Sequence, residues 1–532
     1  MCSQVNVIFA CNLSLKAIFI YITLAFTSPP LGGFLRGLYM ICKKILLPAL
    51  IGSAFYLGAC GGDDSPNSPV INPTPSSVVV PLPTSSVVVP SPLSSAVVPP
   101  PLSSAVAPVP ASSASVPPPP TPVNYAPLAT SANPVVATTQ YALWQSFHFV
   151  TQEAEAATYP SIAGEFGEVF TAAYVPAGRV VWSSQSGYYR TSCSVMDAAI
   201  AGMKLRACTV SEGIGYGMLL AYFNNDFDSF NRMWNYSRAF RAYNNVKLMP
   251  WITKSFHWEQ VDNSSATDAD EDIATSLILM SFKMLGMGNT DAANLYLADA
   301  LTFVNAIWEK EVNPTTLLIY SGDQDVWKVG NPVYNLSYFS PVAIRLFAAV
   351  DPNHNWKGVL DAMYAYMQLV QSKGTSVFPD WSDATGNAID PNNGSAKDTY
   401  WQFNKESVRI PWRIAWDYYW YQDARAGAIL KQLNDFISKK ANGDPNNMAL
   451  AVNYSWNLSV GADYTKNTVV SSQWYAAWCA TGIAGNAAWL NTCTTGVNGK
   501  TPTNSSSSYF SDILLTLYSA LLNGLYVRPA GV

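Results

Sequence analysis

The chain's 532 residues carry a formal net charge of -5 and only three histidines, His148, His257 and His354, widely scattered. That balance excludes the basic footprint of a nucleic-acid binder and leaves little material for a histidine-built metal centre or a Ser-His-Asp triad. The 17 Trp and 29 Tyr suit a protein that offers flat faces to an uncharged polar ligand such as a sugar, yet composition by itself favours the core as their place.

From Met40 the chain reads MICKKILLPALIGSAFYLGAC: two lysines, an apolar run too short to span a bilayer comfortably, then Leu57-Gly58-Ala59 before Cys60. These are the parts of an export signal. The last four residues look like a bacterial lipobox, whose cysteine is lipidated and becomes the first residue of the mature protein. Met40 is therefore the expected start, residues 1–39 a misassigned upstream segment, and 40–59 the signal peptide. Lipid on Cys60 is expected to hold the exported protein to a bacterial membrane, at the outer membrane or cell surface. Ala17 to Phe26 is also apolar, but Pro29-Pro30 and its short span weaken it as a transmembrane helix.

Residues 60–125 read as a disordered linker. Ser-Ser pairs begin at Ser76, Ser85, Ser94, Ser103 and Ser112, nine residues apart, with valine and proline between them. Proline at this density keeps a chain extended at about 3.1 Å per residue. Such a spacer lifts whatever follows off a membrane.

Residues 126–532 form one unit of roughly 400 residues, large for a single domain but permissible for a helical toroid. After Cys60 the remaining cysteines are Cys193, Cys208, Cys479 and Cys493. An exported chain can close them as Cys193-Cys208 and Cys479-Cys493, although four cysteines allow three pairings. DEDIATSLILMSFKMLGMG, DAANLYLADALTFVNAIW, PVAIRLFAAV, GVLDAMYAYMQLVQ, PWRIAWDYYWY, AGAILKQLNDFISKK and FSDILLTLYSALLNGLY all carry helical patterns between Gly, Pro and Asn-rich loops. Period-two signals are scarce, so the fold class is all-α, built of helical hairpins.

Three acidic stretches precede or open helices. In SEGIGYGMLLAYF (211–223), Ser211 is expected to cap a helix with Glu212 in its first turn, and Gly213, Gly215 and Gly217 stand where glycine costs roughly 1 kcal/mol each. In SSATDADEDIATSLILMSF (264–282), Ser265 or Thr267 can cap, which gathers Asp268, Asp270 and Asp272 at the helix start. Glu271 and Asp272 read as ordinary first-turn acids. A calcium loop would need a glycine and a distal glutamate that are missing, so no metal is expected. In FNKESVRIPWRIAWDYYWYQDARA (403–426), Pro411 suits a first helical position and leaves Glu406 and Arg409 on the loop before it. Inner helices arranged in a ring would bring these starts to one rim.

SEGIGYGM, ATDADEDIA, NLSYFSP and RIPWRIAWDY, four blocks in this order, resemble glycoside hydrolase family 8 over essentially the whole of 126–532. Departures exist: the second block's later alanine is Met280 and its closing aromatic position is Met284. The resemblance implies an (α/α)6 barrel, a toroid of six helical hairpins. It also implies a monomer, without cofactor, that cleaves internal β-1,4 linkages of a plant cell-wall polysaccharide with inversion. A glucanase is the first expectation, and a xylanase or chitosanase of the same family the alternative.

Carried over, Glu212 is the general acid and Asp268 the acid that engages the sugar at the cleavage point. The family's D-A-x-R base segment reads Glu406-Ser407-Val408-Arg409 here, so Glu406 is the candidate base and Asp398 the next. Asp270, Tyr338, Arg409, Trp251 and Trp327 are expected to bind substrate, with a core role at least as fitting for the two tryptophans. A glycan-binding surface lipoprotein that lost its base is the non-enzymatic reading. A helix N-terminus alone would make Glu212 a worse acid, so burial beside Tyr216 and Met218 and repulsion from Asp268 must raise its pKa. The glycines are expected to let a sugar chain approach the backbone.

Overall fold

Helices that are apolar on nearly every side are stable only when surrounded by other helices. Six such helices line the interior of the computed structural model, which describes residues 124–158, 173–182, 208–253, 260–391, 400–459, 465–503 and 508–532. All of these belong to the unit Asp63–Val532. The expected signal, Cys60, most of the repeat linker, Cys193 and Asp398 lie outside the described residues.

The inner helices are α2 (Ser211–Phe223), α4 (Thr267–Gly286), α6 (Pro341–Val350), α8 (Ile410–Tyr421), α10 (Ser472–Ala480) and α12 (Tyr509–Leu522). Each packs on the next in that order, and α12 closes on α2. Each is backed by an outer, amphipathic partner: α3 (Phe227–Tyr243), α5 (Thr290–Lys310), α7 (Trp356–Ser372), α9 (Ala424–Lys440), α11 (Ala487–Asn498) and, for α12, the N-terminal α1 (Pro134–His148). Six hairpins in a closed ring make the (α/α)6 barrel. Only the last pair is non-local. Gln140 of α1 seals it, accepting from Ser519 Oγ of α12 while donating to the carbonyls of Val497 and Lys500, beside α12, at 3.1 and 2.6 Å.

A small antiparallel sheet sets the two acid-bearing helices in register. Strand β1 (Thr209–Val210) runs straight into α2, and β3 (Gln260–Ser265) leads through Ala266 into α4. Between them β2 (Pro250–Thr253) pairs Thr253 with Thr209 and Pro250 with Ser265. The expected side-chain caps are not used. Val210 and Ala266 occupy the cap positions without capping bonds, and Ser265 turns its hydroxyl to Glu311 at 2.5 Å. Pro411 does sit in the first turn of α8. Cys479 is bonded to Cys493, tying α10 to α11 with a Cα–Cα distance of 5.3 Å. Cys208 is disulfide-bonded as well.

Candidate active site

Two helices meet here as matched ladders. On α4, Asp268 and Asp272 are four residues apart and therefore share a face, and Arg409 and Arg413 have the same spacing where the chain enters α8. Arg409 donates through Nη1 to Asp268 at 3.0 Å, and Arg413 donates through Nη2 to Asp272 at 2.8 Å with a second bond from its Nη1. Asp270, two residues from each aspartate, must point the other way. It accepts from Met249 N at 3.0 Å and faces Glu311, not the Arg409 cluster.

Arg409 is the hub. Its Nη1 also donates to Glu212 Oε2, its Nη2 to Glu406 Oε2, and its guanidinium lies 5.3 Å from the ring centre of Tyr338. Sequence therefore named five residues that the fold brings together: Glu212, Asp268, Tyr338, Glu406 and Arg409. Two contributors it did not name are Tyr509, whose hydroxyl donates to Glu212 Oε1 at 2.9 Å, and Asn335, whose amide donates to Glu406 Oε2 at 2.7 Å. Asn335 stands inside NLSYFSP and could have been noticed there, whereas nothing local marks Tyr509.

The acids differ in what encloses them, with Asp268 at 1% exposure lying between the two groups. Glu212 and Glu406 keep 4% and 5% of their surface open, whereas Asp270, Glu271 and Asp272 are fully enclosed. Glu271 and Asp272, read from their positions as ordinary first-turn acids, are in fact buried. Asp272 is held by Arg413. Neither Glu271 oxygen has a hydrogen-bond partner among the described residues, and burial holds its pKa well above the usual range, so it stays protonated.

Trp251 and Trp327 take the core role. Trp251 packs edge-on against Trp182 and Trp327 stacks on Trp381, with 2% and 4% of their surface exposed. The glycines also answer to packing rather than to a sugar chain. A Cβ on Gly215 would stand 2.8 Å from Asp272 Cβ and 3.2 Å from Ala269 O, and one on Gly213 would meet the Tyr509 hydroxyl at 3.0 Å. Bare backbone lets α4 and Tyr509 close on α2, which is how Asp268 and Tyr509 come to stand beside Glu212.

Three carboxyls around one guanidinium cannot all be ionised in a buried site without a large penalty. Burial raises all three. For Glu212 it outweighs the pull of Arg409, and the Asp268 charge adds to it, leaving Glu212 at about 7. Asp268 and Glu406 are raised by burial too, but Arg409 opposes both, Arg413 also opposes for Asp268, and the Asn335 amide for Glu406. Burial thus favours a proton on Glu212 near neutrality, while Arg409, Arg413 and the Asn335 amide work toward the anions of Asp268 and Glu406. One proton donor and one proton acceptor thus bind different nitrogens of the same arginine.

Behind this cluster, burial first and the Asp323 charge push Glu311 up to about 8, and burial first and the Glu311 charge raise Asp270 well above its usual range. One oxygen of each has no hydrogen-bond partner among the described residues. The folded state holds the Glu311 proton from its ordinary 4.5 up to about 8, while the unfolded state has released it. The contribution of Glu311 to stability is therefore fullest below about 4.5 and is lost as pH rises through 8. Denaturant midpoints measured between pH 5 and 8 should decline, and Glu311→Gln should make that decline shallower; an unchanged slope would refute the assignment.

The family model of Glycosyl hydrolases family 8 matches residues 180–518. Endoglucanase 2 of Ruminiclostridium josui is 35% identical over 240 residues, 45% of this chain and 48% of that protein. The chain thus spans about half the length of that curated relative. Beta-glucanase of Niallia circulans is 30% identical over 333 residues, covering 59% of this chain and 76% of the relative. Among solved structures, the apo beta-1,3-1,4-glucanase from Paenibacillus sp. X4 superposes with a TM-score of 0.59 at 22% identity over 76% of this chain and 96% of its own, a likeness of fold. With a matched span that starts well ahead of the Glu212 helix and runs into the last inner helix, the chain belongs to glycosyl hydrolase family 8.

Proposed function

We propose that the domain is an inverting endo-β-1,4-glucanase. The observation that carries this reading is the pairing of Glu212 and Glu406 on different nitrogens of Arg409, each with a few per cent of its surface open to solvent. In the reaction, Glu212 gives its proton to the glycosidic oxygen as the bond to the anomeric carbon breaks. Water attacks that carbon from the opposite face and passes its proton to Glu406. Asp268, held by Arg409 and the Ala269 amide at 2.9 Å, stays anionic and accepts from a sugar hydroxyl. The names of the relatives, endoglucanase and beta-glucanase, support glucan over xylan or chitosan.

Export and lipidation at Cys60 complete the proposal, with the enzyme acting as a monomer at a bacterial cell surface. The described chain begins at the far end of α8 from Arg409. There Tyr125 stacks on Tyr419 at 4.9 Å and the Asn124 carbonyl accepts from Gln422 at 3.0 Å. Among the described residues no helix is long and apolar enough to cross a membrane.

The test is to incubate the purified chain with carboxymethylcellulose, mixed-linkage β-glucan, xylan and chitosan, following reducing ends and viscosity. Early loss of viscosity on the glucans is expected. Release from xylan or chitosan alone would move the substrate within the family, and binding without any release would leave a glycan-binding lipoprotein.

A further inference from the structure

The glutamate at position 406 raises a mechanical question. A base must be held to about 0.5 Å and 10–20° of its working geometry, and Glu has one more rotatable bond than Asp. Two residues outside the Glu212, Asp268 and Arg409 set answer it.

Asn335 lies ahead of the short turn Leu336–Tyr338 and is buried. Its Oδ1 accepts from Ser337 N at 3.0 Å and from Ser337 Oγ at 2.7 Å, which leaves its Nδ2 only one way to face, toward Glu406 Oε2 at 2.7 Å. Its own N–H is tied to Ser321 Oγ at 3.2 Å. Arg409 and Asn335 therefore grip the same oxygen of Glu406, and among the described residues nothing donates to Oε1. Clamping one oxygen leaves the other for the water's proton.

Asp380 holds the backbone of the same loop. Its Oδ1 accepts from Asn404 N at 3.1 Å, Ser407 N at 3.0 Å and Ser407 Oγ at 2.8 Å, residues on both sides of Glu406. The Asp380 side chain is buried and has no ion-pair partner among the described residues, and burial, with the Glu406 charge second, lifts it to about 7. A carboxyl in that setting still accepts hydrogen bonds whether or not it is ionised.

We propose that Asn335 and Asp380 are the positioning residues of the base, Asn335 aiming the Glu406 carboxylate and Asp380 fixing the turn that carries it. This rests on Glu406 being the base. The groups facing Glu406 are Arg409 and Lys405 from its own loop, Asp268 from α4, Glu212 from α2, Asp380, and Tyr338 from the Asn335 turn. Asn335 adds an uncharged hydrogen-bond donor to Glu406 Oε2, so removing it destabilises the Glu406 anion without altering the count of charges.

The experiment uses the full chain on a soluble β-glucan, with kcat, KM and pH profiles for five variants. Glu406→Gln should lower kcat by roughly 10²-fold or more. Asn335→Ala should lower kcat by about tenfold or more with KM nearly unchanged, and should move the acid limb of kcat to higher pH. Asn335→Asp keeps the contacts to Ser337 but turns an acceptor toward Glu406, and should fall at least as far. Asp380→Asn retains an accepting Oδ1 and should keep most of the rate, whereas Asp380→Ala should lose it. If Glu406→Gln is inactive while Asn335→Ala keeps its rate and acid limb, the positioning role is overturned and the base stands. If Asp380→Asn is as inactive as Glu406→Gln, Asp380 exchanges protons itself and the turn-holding role is overturned. A Glu406→Gln enzyme with most of the wild-type rate would remove the base, and this proposal with it.

Discussion

Glu212→Gln is expected to lower kcat on natural glucan by roughly 10²–10⁴-fold, with KM nearly unchanged and the alkaline limb of the rate profile gone. The amide fills the same space; with its oxygen toward Arg409 its NH2 can donate to the Tyr509 hydroxyl, so the ring of helices has no reason to shift. What it lacks is a proton to give. In the wild type that proton is kept by burial up to about 7, so kcat/KM should fall above that pH as Glu212 ionises. Because only the leaving oxygen needs the proton, an aryl glycoside with a nitrophenol leaving group should recover much of the lost rate. A variant that keeps full activity and its alkaline limb would show that another group is the acid.

Arg409→Met is the substitution expected to damage both the fold and the reaction. Truncating one partner of a buried ion pair costs roughly 3–5 kcal/mol, chiefly because the other partner is left buried and uncompensated. Here one cation faces Glu212, Asp268 and Glu406 together, each with no more than 5% of its surface exposed. The stranded carboxyls can relieve the strain by taking up protons, so the loss of stability should be larger at pH 8 than at pH 5. Activity should be lost at both, because protonating Glu406 removes the acceptor for the water's proton. Arg409→Lys keeps the charge but replaces a planar fork by a single point, so it cannot hold carboxylates on two nitrogens at once. Denaturant midpoints at the two pH values, beside kcat, check this. An Arg409→Met protein as stable as the wild type at pH 8 would mean that the cluster is not charged as described.

Sequence showed the inner helices where their apolar character was continuous, as in LILMSF and LLTLYSALL. It was poorer at α10, α11 and α3. SQWYAAWCA mixes Trp, Tyr and Cys with no long helix-favouring run, AAWLNTCTTGVN carries threonines and a glycine, and FDSFNRMWNYSRAFRAY interleaves aromatic and polar residues; ring packing, rather than local propensity, makes these helical. Nor could any window reveal that α1 closes the ring on α12, since that contact joins opposite ends of the domain. At the site, carboxylates at helix starts were legible because dipole and loop chemistry mark them. Asp270 was misplaced toward substrate because motif membership says nothing about which way an alternate residue points on a helix, and 200° of rotation from Asp268 sends it to Met249. The three glycines were noticed for a sound reason, their cost, but the approaching body is a neighbouring helix and not a sugar. Tyr509 and Asp380 were illegible, since each reaches the site only through tertiary folding.

Glu212 and Glu406 are expected to act on opposite faces of one sugar ring, with room for a water beside Glu406. An inverting pair of carboxyls stands roughly 6.5–9.5 Å apart, and a retaining pair about 5–5.5 Å. The direct measurement is proton NMR of the anomeric signals during the first minutes of β-glucan hydrolysis, before mutarotation mixes them. The α-anomer accumulating first is the predicted result, and initial accumulation of the β-anomer would contradict it.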